Sequence, residues 1–319
     1  MKTEKKSINF SAIYRKYGIF LILIILFVAS AMMNKNFLKV QNLMNILKQI
    51  SVVTIIACGE TMLIVSGMID LSAGLVCSMC ACFSAGVLAM TGNLPLTFVT
   101  GIGLGMIVGW VNGFLITRYK LQPFIATLAM TNVAKGITQI YTNGQAINGV
   151  EKLRWIGQGY ILGIPVPTII MFLCVAVIAL LMKYTTLGLH IYSIGGNEKA
   201  TIASGINVSK TKRIIFMISG GLVGLASVVL VGRLMSGQPS VGNGYEFDAI
   251  TATIVGGTSF TGGIGSVVGA LVGSIIVGLI NNILNLKGVS TQYQLIVKGI
   301  LIAGAVIIDT KTKQDKKNS

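Results

Sequence analysis

Ten runs of predominantly apolar residues follow one another along the 319-residue chain. Most are long enough to form an α-helix that crosses the roughly 30 Å hydrocarbon core of a bilayer. The runs lie at residues 18–33, 46–66, 68–90, 95–117, 122–142, 165–182, 214–232, 248–260, 265–285 and 292–309. Because backbone polar groups must pair inside a membrane, the pattern predicts an all-α, polytopic membrane helix bundle with about ten transmembrane helices.

Two places depart from this regular pattern. The second and third runs are nearly continuous and meet at Ser66–Asp70. The eighth run, 248–260, is short, and we expect a broken helix that does not cross fully. No long polar segment interrupts the chain, so one transmembrane domain is predicted over 18–310, with basic tails at 1–17 and 311–319.

The basic residues indicate how the bundle is oriented. Sixteen Lys and Arg lie on the side of the two tails, against seven on the opposite side, while Lys135 and Lys298 fall inside runs. Positive charge accumulates on cytoplasmic loops, so both termini are predicted to be cytoplasmic. Lys135 and Lys298 are expected to extend to the outer surface. The chain is 53% hydrophobic and 11% charged, with a net charge of +16. Because the basic residues cluster in short loops and tails, we interpret this charge as a topology signal and not as a nucleic-acid-binding surface.

Glycines recur every four residues in three runs. They are Gly101, Gly105, Gly109 and Gly113, then Gly220 and Gly224, then Gly265, Gly269 and Gly273. This spacing places them on one helix face, where missing side chains let another helix approach closely. The stripes therefore predict a tightly packed bundle.

The sequence lacks the residues of common catalytic sites. The dipeptide Gly-Lys does not occur, so there is no P-loop to hold ATP phosphates. The single histidine, His190, lies in a polar connection, and the five cysteines lie in apolar runs, where packing is their expected role. We therefore expect no enzymatic activity, no metal and no cofactor bound by this chain.

Polar residues inside the runs are candidates for a translocation path. Charged groups at such depth are costly unless they are paired or hydrated. The candidates are Glu60, Asp70, Ser72, Asn112, Thr127 and Asn132. Each has a structural alternative: Asp70 suits capping of the third helix, the asparagines suit helix-to-helix hydrogen bonds, and Glu60 fits either role.

The polar segment 184–213 predicts a short helix between two membrane spans. Asn197 can cap it, Glu198 stands at the positive end of the helix dipole, and Gly205 can end it in the left-handed conformation. So short a helix is marginal unless something packs on it. It is either a docking surface for a soluble partner or a solvated connector.

The longest outer connections, 143–164 and 233–247, carry aromatic and charged residues: Arg154, Trp155, Gln238, Tyr245 and Glu246. They suit docking of an extracellular delivery protein. Aromatic residues also gather at membrane surfaces for other reasons, so both interpretations stay open.

Three motifs carry a family resemblance. Ser66–Gly74 (SGMIDLSAG), Gly195–Ala200 (GGNEKA) with Ser204–Asn207 (SGIN), and Ile254–Ser266 (IVGGTSFTGGIGS) together resemble the permease subunits of ribose/xylose/galactose-type ABC importers. The resemblance covers roughly residues 40–310. Lys199 stands where many members carry another residue.

The resemblance implies a multi-pass protein of the bacterial plasma membrane that moves a monosaccharide, most often a pentose such as ribose, by alternating access. It implies a second permease copy or paralogue, an extracytoplasmic sugar-binding protein, and a cytoplasmic subunit that binds ATP and Mg²⁺. By position, Gly195, Gly196, Asn197, Glu198, Ala200 and Gly205 match the family's coupling segment. The Gly67–Gly74 and Gly256–Gly265 motifs match segments that border the route, so the resemblance adds Gly256, Gly257 and Thr258 to the candidates for the translocation path.

Two other functions remain compatible with the residues. An ion-coupled carrier or a channel would use Glu60 or Asp70 as its ion site. A scaffold subunit would have no pathway of its own. Within the importer class, a hexose or a furanosyl signalling compound remains open as the cargo.

Overall fold

The computed structural model describes residues 10–318; residues 1–9 of the predicted basic tail and Ser319 lie outside the described residues. The helices are α1 (Phe10–Met33), α2 (Val40–Val65), α3 (Ala73–Thr91), α4 (Leu94–Arg118), α5 (Pro123–Thr142), α6 (Arg154–Gln158), α7 (Val166–Tyr184), α8 (Thr186–Gly196), α9 (Glu198–Ala203), α10 (Val208–Leu234), α11 (Tyr245–Val255), α12 (Val267–Leu286) and α13 (Thr291–Asn318). A 3-10 turn (Glu151–Leu153) precedes α6, and a two-stranded antiparallel hairpin, β1 (Tyr160–Ile161) and β2 (Ile164–Pro165), precedes α7.

The chain is mostly helical, as predicted. Over the described residues, six helices are long and apolar enough to cross a membrane: α2, α3, α4, α7, α10 and α12. The predicted span 248–260 is wrong in its second half. Its helix, α11, covers only Tyr245–Val255 and ends where Gly256 and Gly257 turn the chain away. An 11-residue helix is about 16 Å long, too short to cross a bilayer.

Two of the three predicted glycine stripes pack against each other. A Cβ on Gly101 would lie close to Gly224, and one on Gly105 or Gly109 would overlap the carbonyl of Gly220 or Phe216. Helices α4 and α10 therefore run antiparallel with their backbones in contact. Gly269 and Gly273 bring α12 equally close to Gly256 and Ala252 of α11.

The segment after α10 is not the exposed outer loop that the sequence suggested. Ile147 and Gly237 exchange both backbone hydrogen bonds at 2.8 Å, and a Cβ on Gly237 would meet α3 near Cys82. Gly242 lies against Gly74, so the chain descends along α3 by roughly 12 Å. Non-helical backbone at membrane depth is tolerated where it is buried in protein. The small residues of this segment permit that burial.

The predicted position of the Lys298 side chain is wrong. Its ammonium group does not extend to the outer surface but forms an ion pair with the buried Asp248, with Nζ 2.8 Å from Oδ1. The pair joins α13 to the first turn of α11, and each charge is partly compensated by the other.

Candidate functional site

A buried polar cluster surrounds the loop 66–72 between α2 and α3. The Asp70 Oδ1 atom accepts the backbone N–H of Ser72 at 2.8 Å and the Ser72 hydroxyl at 2.5 Å. The Asn112 amide of α4 donates to the Ser72 hydroxyl oxygen at 3.0 Å. All three side chains are buried. Asp70 thus orders the turn just before α3, and Asn112 ties that turn to α4.

Helix α5 holds the same loop from another side. The backbone N–H of Leu71 donates to the Thr127 hydroxyl oxygen at 3.1 Å, and the Thr131 hydroxyl donates to the Leu71 carbonyl at 3.0 Å. Both backbone polar groups of Leu71 are therefore satisfied by α5, as an irregular buried segment requires. We name Glu60, Asp70, Ser72, Asn112 and Thr127 the polar cluster.

Glu60 brings α2 into the polar cluster. Its Oε2 atom accepts the backbone N–H of Asp70 at 3.5 Å, and the side chain is fully buried. Within the described part of the chain, its Oε1 atom has no hydrogen-bond partner.

Sequence reasoning missed one neighbour of this cluster. Glu246, assigned to an outer loop, is only 4% exposed and lies over Gly74 at the start of α3. Its Oε2 atom accepts the backbone N–H of Gly244 at 3.1 Å. The sequence did contain a signal for this position, because Glu246 lies in the first turn of the apolar helix α11, where the helix dipole favours a carboxylate.

Asn132 does not join the polar cluster. It lies on the exposed face of α5, where its amide donates to the Leu128 carbonyl one turn earlier at 3.2 Å. Thr127 and Thr131 occupy the inward face of the same helix, and the five-residue step from Thr127 turns Asn132 away from them.

The three remaining path candidates, Gly256, Gly257 and Thr258, lie at the far end of α11, roughly 15 Å along the helix from Glu246. Thr258 is buried, and its hydroxyl has no hydrogen-bond partner within the described residues. These candidates belong to a separate turn, residues 256–266, that is distinct from the polar cluster.

The turns after α2 and α11 share one geometry. Gly67 and Gly257 both have positive φ, +76° and +88°. In each turn, the glycine N–H bonds a carbonyl three residues back and the next N–H bonds one five residues back. This is a glycine-capped helix end, and in both turns it follows a similar sequence, IVSG at 64–67 and IVGG at 254–257. The N–H of Gly263 also donates to the Val65 carbonyl at 2.7 Å, which joins the two turns.

The segment 184–213 forms two helices, α8 and α9, where one was predicted. Asn197 caps α9, with its Oδ1 accepting the Ala200 N–H at 3.0 Å, and Gly205 ends it at a φ of +80°. Glu198 pairs with Lys212 at 2.9 Å. In α9 only Thr201 is buried, so this helix presents an exposed surface.

Helix α8 connects that surface to both turns. A Cβ on Gly195 would overlap the Val65 carbonyl and crowd the Gly263 amide. The Tyr192 hydroxyl donates to the Gly265 carbonyl at 2.8 Å. A displacement of α8 would therefore change its contacts with the end of α2 and with the turn 256–266.

The described residues contain no group of three or more His, Cys, Asp and Glu side chains placed to hold a metal ion. The five cysteines are free and buried.

A bundle of membrane-length helices with buried carboxylates at its centre is typical of a membrane transport protein. The chain belongs to the family described as "Branched-chain amino acid transport system / permease component", which matches residues 42–306. It is thus a multi-pass transport subunit and not an enzyme.

Curated relatives extend over nearly the whole chain. The ribose import permease protein RbsC of Bacillus subtilis is 43% identical over 314 residues, 98% of each chain. The protein of that name in Escherichia coli K12 is 41% identical over 294 residues, 91% of this chain and 92% of the relative. The L-arabinose transport system permease protein AraH of E. coli K12 is 34% identical over 315 residues, 98% of this chain and 96% of the relative. No solved structure matches the chain.

Proposed function

We propose that this chain is the membrane-spanning permease of an ATP-driven importer for a monosaccharide, with ribose as its first candidate. The support from similarity is that the relatives named for ribose import match it from end to end at above 40% identity. In this proposal ATP and Mg²⁺ bind a cytoplasmic partner, and a sugar-binding protein delivers the solute from outside.

One observation carries the mechanism: an exposed, well-capped helix, α9, follows a helix that contacts the backbone of both glycine turns. The sequence has no P-loop, and in this proposal the work comes from the ATP-binding partner. A partner that binds the two conformations of the permease differently can shift their equilibrium. The proposed coupling surface comprises Gly195, Gly196, Asn197, Glu198, Ala200 and Gly205.

For topology, we propose ten crossings with both termini and α8–α9 in the cytoplasm. To the six apolar helices this adds α1, α5, α13 and α11, the last completed by the segment 235–244. In this arrangement the irregular loop 66–72 and the start of α11 meet inside the bundle, where transporters place substrate sites.

For the pathway, we propose that the polar cluster lies beside it and that α5 faces it. Asn132 and Lys135 are both on the exposed face of α5, and polar groups facing lipid are costly. A second permease copy placed against this face would enclose the two side chains in a hydrated path. On the outer side, the exposed Trp155 and the β1–β2 hairpin, whose Leu162 is 99% exposed, suit contact with the binding protein.

The test uses two glycines in the same local geometry. Gly205 and Gly288 both have positive φ and both donate their N–H to a carbonyl three residues back, at 2.9 and 3.0 Å. Proline fixes φ near −65° and has no N–H. Gly205→Pro and Gly288→Pro therefore each lose the positive φ and one backbone hydrogen bond. The first lies beside α9, and the second lies between α12 and α13.

We expect Gly205→Pro to abolish uptake of radiolabelled ribose and co-purification of the ATP-binding subunit, while membrane insertion is unchanged. Gly288→Pro should retain both activities. Equal uptake by the two variants, or equal loss, would show that α9 is not the coupling surface. Uptake that persists without the ATPase subunit and stops when the proton gradient is dissipated would instead establish an ion-coupled carrier.

A further inference from the structure

A pocket of about 400 Å³ opens at the seam between α4 and α10, near the end of α10 that follows α9. Its lining is divided. One part is polar and cationic: Asn207, Ser209, Lys210 and Arg213. The other part is apolar: Trp110, Ile214 and Met217. A pocket with two such halves suits an amphiphilic ligand.

The cationic half carries uncompensated positive charge. The described residues form two salt bridges, Lys212 with Glu198 and Lys298 with Asp248, so neither Lys210 nor Arg213 has a carboxylate partner there. In the part of the chain that the structure describes, no carboxylate lines the pocket. The first turn of α10 also lies at the pocket, where Asn207 Oδ1 accepts the N–H of Lys210 and the Ile206 carbonyl accepts the N–H of Val208. The positive charge at the pocket therefore comes from the side chains of Lys210 and Arg213.

Aromatic side chains hold the Arg213 guanidinium in place. Its Nε donates to the Thr117 hydroxyl at 2.6 Å, and its Cζ lies 5.4 Å from the centre of the Phe114 ring. Phe114 stacks on Trp110 with the ring centres 5.4 Å apart. This positioning leaves the other guanidinium nitrogens oriented by a rigid support, as recognition of phosphate oxygens requires.

The apolar half continues along the outside of the bundle. Trp110 is 48% exposed, and Ile107, one turn further into the apolar run, is 59% exposed. These residues flank the basic end of a membrane-spanning helix, where tryptophan gathers at lipid headgroups. A free phosphate ion would contact only the cationic half, whereas a phospholipid fills both halves.

We propose that this pocket is a binding site for an anionic phospholipid. The phosphodiester headgroup is bound by the side chains of Lys210 and Arg213, and an acyl chain lies over Trp110, Ile214 and Met217. Basic pockets between transmembrane helices bind acidic lipids in this way. The lipid would brace the end of α10 that adjoins α9, and the inference does not depend on which solute the permease moves.

The chain supplies its own probe, because it has only two tryptophans, Trp110 and Trp155. In the full-length Trp155→Phe variant, reconstituted in nanodiscs, fluorescence reports on Trp110 alone. Brominated phosphatidylglycerol is expected to quench this fluorescence more strongly than brominated phosphatidylcholine at equal mole fraction. Each basic residue near a membrane surface contributes about fivefold in lipid affinity, so Lys210→Gln should weaken the preference for phosphatidylglycerol by about that factor.

Lys199→Gln is the matched control, since it removes one exposed cation from α9, outside the pocket. It should leave the preference unchanged. Equal quenching by the two lipids, or an equal effect of both lysine substitutions, would overturn the site. Displacement of the brominated lipid by millimolar inorganic phosphate would show a soluble-anion site, and displacement by the purified ATP-binding subunit would show a protein interface; either result overturns the lipid assignment.

Discussion

The turns after α2 and after α11 begin with the same glycine-capped geometry and then contact different parts of the molecule. After Gly67 the chain enters the bundle, where Asp70 and Ser72 form hydrogen bonds that anchor the loop to α4. After Gly257 the chain stays beside α8, where Gly263 and Gly265 offer only backbone groups. The same helix stop therefore leads in one turn to side chains that bond α4, and in the other to backbone groups that bond Val65 and Tyr192 beside the contact of the Ser259 and Thr261 hydroxyls.

Because the two turns have different contacts, they would respond differently to a movement of α8. The turn 256–266 touches α8 directly, through the Gly265 carbonyl and the Tyr192 hydroxyl. The turn 66–72 is reached through the Val65 carbonyl, which lies against Gly195 and accepts the Gly263 N–H. Val65 is thus the shared point between the proposed coupling segment and the polar cluster.

The largest effect is expected at that shared point. A Cβ at Gly195 would overlap the Val65 carbonyl, and backbone atoms cannot move aside as a flexible side chain can. Overpacking of this kind costs about 1–3 kcal/mol. We expect Gly195→Ala to separate α8 from both turns and to reduce sugar uptake to background in a cell-based assay.

The adjacent glycine provides the control. A Cβ at Gly196 would meet no atom within 4 Å, and its φ is not positive. Gly196→Ala should therefore leave the contact between α8 and the two turns intact and, because it adds only one methyl group to the proposed coupling surface, should retain most of the uptake that Gly195→Ala loses. Normal uptake by Gly195→Ala would mean that close contact with Val65 is not needed for coupling.

A smaller effect is expected from the side-chain anchor. Asp70→Ala removes the acceptor of two hydrogen bonds from Ser72, whose N–H and hydroxyl are buried. Leaving buried polar groups unpaired costs about 1–3 kcal/mol. We expect a clear fall in the unfolding temperature of the detergent-solubilised permease, and a smaller fall for Asp70→Asn, which keeps an acceptor oxygen.

Asn132→Ala is the comparison variant for this measurement, because Asn132 is exposed and bonds only within its own helix. Its unfolding temperature should change little. Should Asp70→Ala be as stable as Asn132→Ala, the loop 66–72 would not depend on its side-chain hydrogen bonds.

The sequence sufficed where periodic patterns or local rules decide the structure. Apolar runs located the six helices that are long and apolar enough to cross a membrane, and four-residue glycine spacing located the contact between α4 and α10. Asn197 and Gly205 fixed the ends of α9 through local capping rules. Contacts between distant segments have no such local signal. The burial of Glu246 depends on its fit over Gly74, and the outward position of Asn132 depends on which face of α5 packs inward.

The smallest expected effect tests whether the two turns are alike. Gly67 and Gly257 both have positive φ, and a Cβ on either would meet no atom within 4 Å. Alanine at either position costs only the strain of the left-handed conformation, about 1–2 kcal/mol. Gly136 also has free space but lies inside α5 without a positive φ. There, alanine should be neutral or stabilising, since glycine costs about 0.5–1 kcal/mol in a helix interior.

We therefore expect Gly67→Ala and Gly257→Ala to lower the unfolding temperature by similar amounts, and Gly136→Ala to leave it unchanged or raise it. The three proteins share one substitution and differ only in backbone conformation, so the comparison isolates the turn geometry. A fall for one turn without the other would show that the two helix ends differ in the folded protein. The two turns would then differ from their first glycine onward, and not only in the contacts that follow it.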